Sequence, residues 1–153
     1  MTEIFDQFIN NRILLVTLLA WIVAQSIKVT IGVVRQKKFD FRWFVGTGGM
    51  PSSHAAGASC LASSVGFEFG FDSVYFALAA SFAIVVMFDA QGVRRATGRQ
   101  ARILNKITDD IYWQGKMHEG RLRELIGHTP MEVVAGFLLG TIISLLMRNW
   151  LIG

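Results

Sequence analysis

The stretch ILLVTLLAWIVAQSIKVTIGVV, residues 13–34, decides the fold. It runs 22 residues with a single charge, Lys28, and about 20 such residues suffice to carry a helix across a hydrocarbon core. Lys28 sits about two turns from the end of the run. Its ammonium either snorkels to the headgroups or faces a polar cavity.

The rest of the composition agrees with a membrane setting. Of 153 residues 52% are hydrophobic and the formal net charge is +4, with a mean hydropathy of +0.44 and a pI near 9.6. That mixture suits a membrane protein with a basic face. A nucleic-acid partner would also select basic residues but would not require long uncharged runs, so none is expected. The length suits one domain. Cys60, the single cysteine, rules out an internal disulfide and reads as a small packing residue. Before the first run, Glu3 and Asp6 without a basic cluster do not make a cleavable signal peptide. Ile4, Phe5, Phe8 and Ile9 are spaced for one apolar helix face, an interfacial lead-in.

Beyond the first run, residues 35–45 alternate Arg35, Lys37, Lys38 and Arg42 with aromatic residues and read as a loop at headgroup level. A second span, 51–67, is rich in Ala, Gly and Ser, which let membrane helices approach closely. Residues 66–72 read as a turn with aromatic anchors, and 73–93 as a third span. Residues 94–127 form a basic surface segment, with an amphipathic helix over 100–113, a break near Gly115 and a short helix over 119–126. The last span is 130–150. It opens with Thr129 and Glu132 spaced for a capping box and Pro130 at the first helical position. Gly136 and Gly140 give it a G-x-x-x-G face. The expected fold is therefore all-α: an integral membrane bundle of about four transmembrane helices plus an amphipathic surface helix, in a single domain.

The most chemically suggestive stretch is Gly48 to His54, GGMPSSH, at the head of the second span. The glycines let backbone approach a ligand, Pro51 suits a first helical turn, and Ser52 and Ser53 set hydroxyls beside free N–H groups. A plainly capped helix start with an incidental histidine would look the same. Alternating crossings weigh against that reading. They return Lys28, Arg35, His54, Asp89, Arg94, Arg95, His128 and Glu132 to one face of the membrane, with 13 of the 15 Lys and Arg residues; only Arg12 and Arg148 fall on the other. A cationic surface beside two histidines is what a phosphate-ester site needs. Cations that only set topology or bind anionic headgroups are the competing explanation.

These residues resemble a known family. Gly49-Met50-Pro51-Ser52-Ser53-His54 is similar to the second signature, P-S-G-H, of the type-2 phosphatidic acid phosphatase and vanadium haloperoxidase superfamily, with Ser53 at the glycine. His128, followed by Glu132, Gly136 and Leu139-Gly140, resembles the third signature. Lys28 and Arg35, six residues between them, match the spacing of the first, with Gln36 where proline is usual. With residues 89–95, DAQGVRR, the combination looks most like the small divergent branch of that superfamily.

The resemblance implies a phosphatase acting on a lipid phosphate. His128 would be the nucleophile, Glu132 would fix its tautomer, and His54 would protonate the leaving alcohol. Lys28, Arg35, Gly49, Ser52 and Ser53 would hold the phosphate, and the scheme needs no metal or other cofactor. Where the family places an arginine six residues before the histidine this chain has Leu122, so Arg121, Arg123, Arg94 or Arg95 would supply the guanidinium. Asp89 would pair with an arginine or bind a cation. Glu132 has an equally good explanation as a helix cap, and His118 reads as a surface residue. Four spans in place of the family's usual six suggest a homodimer using the glycine face. The positive-inside rule places the basic face in the cytoplasm of a multi-pass plasma-membrane protein. A non-catalytic protein that binds or moves anionic lipids is the second reading, and a vanadate-dependent oxidase a third.

Overall fold

The computed structural model describes residues 2–37, 49–112 and 128–152, and all regular structure among them is α-helical. In chain order the helices are α1 (Thr2–Ile9), α2 (Arg12–Gln36), α3 (Ser53–Phe69), α4 (Val74–Gln91), α5 (Val93–Tyr112), α6 (Pro130–Leu146) and α7 (Arg148–Ile152). Two of them, α2 over Arg12–Val34 and α4, are long and apolar enough to cross a membrane, while α6 is apolar but 17 residues long.

The bundle is built around α3, which packs against α2, α4, α6 and α7. Its composition explains the position. Ala55, Ala56, Ala58, Ser59, Cys60, Ala62 and Ser64 are all buried, and side chains this small let several neighbours approach at once. On the α6 side the fit depends on glycine. A Cβ on Gly136 would run into the Ser52 carbonyl, and one on Gly140 into the Ala56 carbonyl and the Ser59 hydroxyl. Polar bonds then lock the two helices. Ser59 Oγ donates to the Phe137 carbonyl at 3.0 Å, and the Ser64 and Ser144 hydroxyls pair at 2.9 Å. The G-x-x-x-G seam therefore joins two helices of one chain rather than two copies, and a homodimer would have to use another surface. Cys60 is fully buried and its thiol lies 3.5 Å from the Val16 carbonyl on α2, a packing role as expected.

Helix ends depart from the sequence reading in specific places. α2 continues through Arg35 to Gln36 and stops at Lys37 in the left-handed region, φ 50°, so Arg35 belongs to its last turn and not to the following loop. α3 runs on to Phe69, and the reversal into α4 is made by Gly70 at φ +89° with the Ser73 hydroxyl bonded back to its carbonyl at 2.7 Å. α4 ends at Gln91 and α5 begins at Val93, well before residue 100; Arg94, Arg95, Ala96 and Arg99 are good helix formers that need no apolar face, and they carry the helix through Thr97 and Gly98. α5 exposes Ile103, Leu104 and Ile107 and buries Ala101, consistent with a surface helix. The short helix expected at 119–126 and the loop residues 38–48 lie outside the described residues. At the other end α6 stops at Leu146, and α7 turns Leu151 into a core with Val16, Ala20, Cys60 and Ile143. There the Arg12 guanidinium donates to the Trp150 carbonyl at 3.1 Å, and that of Arg148 lies 5.5 Å from the Phe67 ring centroid.

Candidate active site

Two backbone hydrogen bonds assemble the opposite end of the bundle. Ser52 N–H donates to the Glu132 carbonyl at 2.9 Å, tying the start of α3 to the first turn of α6. His128 N–H donates to the Ala90 carbonyl at 3.1 Å, tying the segment before α6 to the last turn of α4. The bare Cα of Gly136 is what admits Ser52 so close to α6. Ser52 is also the N-cap of α3, its hydroxyl accepting from Ala55 N–H at 3.3 Å. Pro51 consequently lies outside the helix, after a cis Met50–Pro51 bond, and not in the first turn. A serine followed by free N–H groups caps better than proline starts a turn, and the bond to Glu132 fixes which residue serves.

His128 is 1% exposed, held just outside α6. Its Nδ1 lies 3.1 Å from Glu132 Oε2. A carboxylate only accepts, so Nδ1 carries a proton, and in the neutral imidazole Nε2 is then the atom with the lone pair. The same Oε2 accepts from Thr129 N–H at 3.0 Å, while Thr129 Oγ1 accepts from Glu132 N–H at 3.4 Å. Glu132 is thus at once the acid of a capping box and the partner of a buried imidazole; the two sequence explanations are one arrangement. The ring of His54, from the first turn of α3, has its centroid 6.1 Å from that of His128, with the planes at 59°.

Lys28 faces inward rather than snorkelling. It is buried, its Nζ donates to Gln25 Oε1 at 2.6 Å, and it lies within electrostatic reach of Glu132. Gly49 lies across its stem. At φ +92° this residue sits where side chains are strained, and a Cβ would approach Lys28 Cγ to 3.2 Å. The backbone conformation favours glycine there, and the Lys28 stem would have to give by a few tenths of an ångström to admit a Cβ.

The structure therefore brings together Lys28, Gly49, Ser52, Ser53, His54, His128 and Glu132 from α2, α3, α6 and the segments leading into them. Ser53 is buried in the first turn of α3. Arg35 lies in the last turn of α2, and Arg94 and Arg95 in the first turn of α5. Asp89 is half-buried beside Ala90. Arg121, Arg123 and His118 lie outside the described residues. Among the described residues no group of three or more His, Cys, Asp or Glu side chains forms a metal-binding set.

Two participants escaped the sequence reading. Gln25 carries the hydrogen bond that stabilises the buried ammonium, and its signal was available: an amide three residues before a lysine on the same face of an apolar run. The Ala90 carbonyl that positions His128 is a main-chain group at a helix end, for which the sequence holds no signal.

The arrangement offers a buried imidazole with a fixed tautomer, a second imidazole beside it and a buried cation. Comparison with known proteins gives the family. The Divergent PAP2 family matches residues 9–143, from before α2 to late in α6. An uncharacterised membrane protein of Bacillus subtilis (strain 168), YuiD, is 40% identical over 152 residues, covering 92% of this chain and 96% of the relative. No solved structure matches significantly. The matched residues include every side chain brought together at this end of the bundle, and the chain is a membrane protein belonging to the Divergent PAP2 family.

Proposed function

We propose that the protein hydrolyses the phosphate monoester of a membrane lipid, of the phosphatidate, phosphatidylglycerophosphate or polyprenyl phosphate type, through a phosphohistidine. The observation that carries the reading is the contact of Glu132 with His128 Nδ1, which leaves Nε2 as a nucleophile beside a second histidine. Nε2 attacks phosphorus, the P–O bond to the lipid breaks, and His54 as imidazolium gives its proton to the departing alkoxide. Water, losing a proton to His54, then attacks the phosphohistidine; the N–P bond breaks and inorganic phosphate leaves. Both halves follow the general logic of covalent and acid–base catalysis. Lys28, with the N–H groups at the start of α3, stabilises the charge on the phosphoryl oxygens, and Arg35, Arg94, Arg95, Arg121 and Arg123 are the guanidinium candidates for the same work. The enzyme acts as a multi-pass protein of the plasma membrane with this face toward the cytoplasm.

The weight of Lys and Arg on that face favours one second reading, non-catalytic binding or transport of anionic lipids. A single experiment separates the two: inorganic phosphate release by the purified protein from a panel of lipid phosphates, with His128→Ala and His54→Ala alongside. Turnover lost in both variants while folding and lipid binding persist supports the phosphatase. Turnover absent for every substrate, or surviving both changes, leaves the binding protein.

A further inference from the structure

A groove of about 200 Å³ opens between α4 and α6, lined by Met87, Phe88, Gln91, Val133, Val134 and Phe137. Its placement is specific. Gln91 follows Ala90, whose carbonyl holds His128, and Val133 follows Glu132, which holds the His128 ring. Both walls thus begin one residue beyond a residue that fixes the site. The groove spans the last turns of α4 and the first two turns of α6. It is open at the side, where Phe88, Val134 and Phe137 are exposed on the same apolar surface as Leu78, Phe82 and Val85. Gln91 at the rim is the one amide in an otherwise apolar lining.

We infer that this groove receives the hydrocarbon chain of the lipid phosphate, the substrate approaching sideways from the bilayer with its phosphate at His128 and its first chain segment between α4 and α6. The inference rests on the phosphatase reading and adds to it the route and the residues that choose the chain. Gln91, next in the chain to the Ala90 that holds His128, supplies a donor for a polar group of the lipid that follows the phosphate. A chain moving from bilayer to groove exchanges one apolar surrounding for another, so little hydrophobic gain attends the transfer. The groove orients the phosphate and adds little affinity. Its effect falls on the alignment of phosphorus with Nε2, to which rate is steeply sensitive.

Two measurements test it. In the first, p-benzoylphenylalanine is installed at Phe137, and separately at Leu78 on the outer face of α4, and the full chain is irradiated in phosphatidylcholine vesicles containing phosphatidate or polyprenyl phosphate. Adducts to one of the phosphate lipids well above its share of the bilayer, at 137 but not at 78, support the groove. Adducts in proportion to bilayer content, or a cross-linked pair of protein chains, overturn it, the latter by giving the face to a second copy. In the second, Val134→Trp fills the groove, and turnover of dioleoyl phosphatidate is divided by that of a water-soluble short-chain phosphatidate. The ratio falls by roughly tenfold or more if the chain must lie there; an unchanged ratio overturns the inference. A wild-type protein that hydrolyses neither substrate removes the phosphatase reading, and the labelling result alone then decides whether a phosphate lipid occupies the groove.

Discussion

Glu132 Oε2 lies 3.1 Å from His128 Nδ1 and 3.0 Å from Thr129 N–H, so one carboxylate oxygen serves both the helix and the imidazole. Position four after the histidine is also the third residue of α6, where an acid closes a capping box. The capping bond that closes the first turn of α6 thereby also sets the carboxylate against the ring.

The two roles separate by substitution. Glutamine also closes a capping box, but its amide lacks the charge that favours an imidazolium-like nucleophile in the transition state. Glu132→Gln should leave the thermal midpoint nearly unchanged and lower phosphate release by about 10²–10³-fold. Glu132→Ala should lose the same activity and in addition about 1 kcal/mol of stability with the cap. Melting curves read beside turnover check the pair. Equal stability loss in both variants would show that the charge, not the cap, holds the turn.

His54 and His128 should respond differently to the leaving group. An alkoxide needs a proton to depart, whereas a nitrophenolate departs unaided. His54→Ala should cut turnover of a lipid phosphate by about 10²–10⁴-fold and that of p-nitrophenyl phosphate far less. His128→Ala should abolish both. An equal loss on both substrates in His54→Ala would remove the general-acid role.

Much of this site was legible from spacing. The run 13–34, the capping pattern at Thr129–Glu132 and the small residues of 51–67 each obey local rules, and α2, α6 and α3 follow from them. What spacing could not supply is how helix ends meet. Pro51 looks like a helix start until the Ser52 bond to Glu132 moves the first helical residue two positions on, to Ser53, and Gly136 looks like a dimer contact until Ser52 occupies the space above it. Both outcomes depend on α3 and α6, separated by 60 residues of chain, approaching at glycine distance. The buried state of Lys28 is a similar case: the choice between snorkelling and an interior cavity rests on Gln25 and Glu132 both being within reach.

That environment makes the Lys28–Gln25 pair a test of buried polarity. Gln25→Leu leaves an interior ammonium without its 2.6 Å acceptor and should destabilise the protein by about 1–3 kcal/mol. Lys28→Met on its own should cost less, since it removes the buried charge together with its bond to the amide. The double variant should recover most of the Gln25→Leu loss, as expected for partners in one hydrogen bond. Every variant lacking Lys28 should bind inorganic vanadate, a phosphate mimic, more weakly than the wild type. Additive stabilities, or vanadate affinity independent of Lys28, would place the lysine outside the phosphate site.

Three glycines give the sharpest stability contrast. In Gly140→Ala the new methyl would meet the Ala56 carbonyl and the Ser59 hydroxyl, and in Gly136→Ala the Ser52 carbonyl, all on a helix that cannot retreat without breaking the Ser59–Phe137 and Ser64–Ser144 bonds. Each should destabilise by about 1–3 kcal/mol or more, the usual range for overpacking. Gly57 lies mid-helix in α3 with nothing within 4 Å of where its Cβ would be. Gly57→Ala should therefore stabilise by about 0.5–1 kcal/mol through helix propensity alone. Gly136→Ala should also lower turnover, because Ser52 and with it His54 must move away from His128, while Gly140→Ala, a full turn deeper, should affect stability more than rate. Denaturant titration in detergent with parallel phosphate-release assays measures all three. Destabilisation at 57 equal to that at 140 would mean that α3 and α6 do not meet along the Gly136–Gly140 seam.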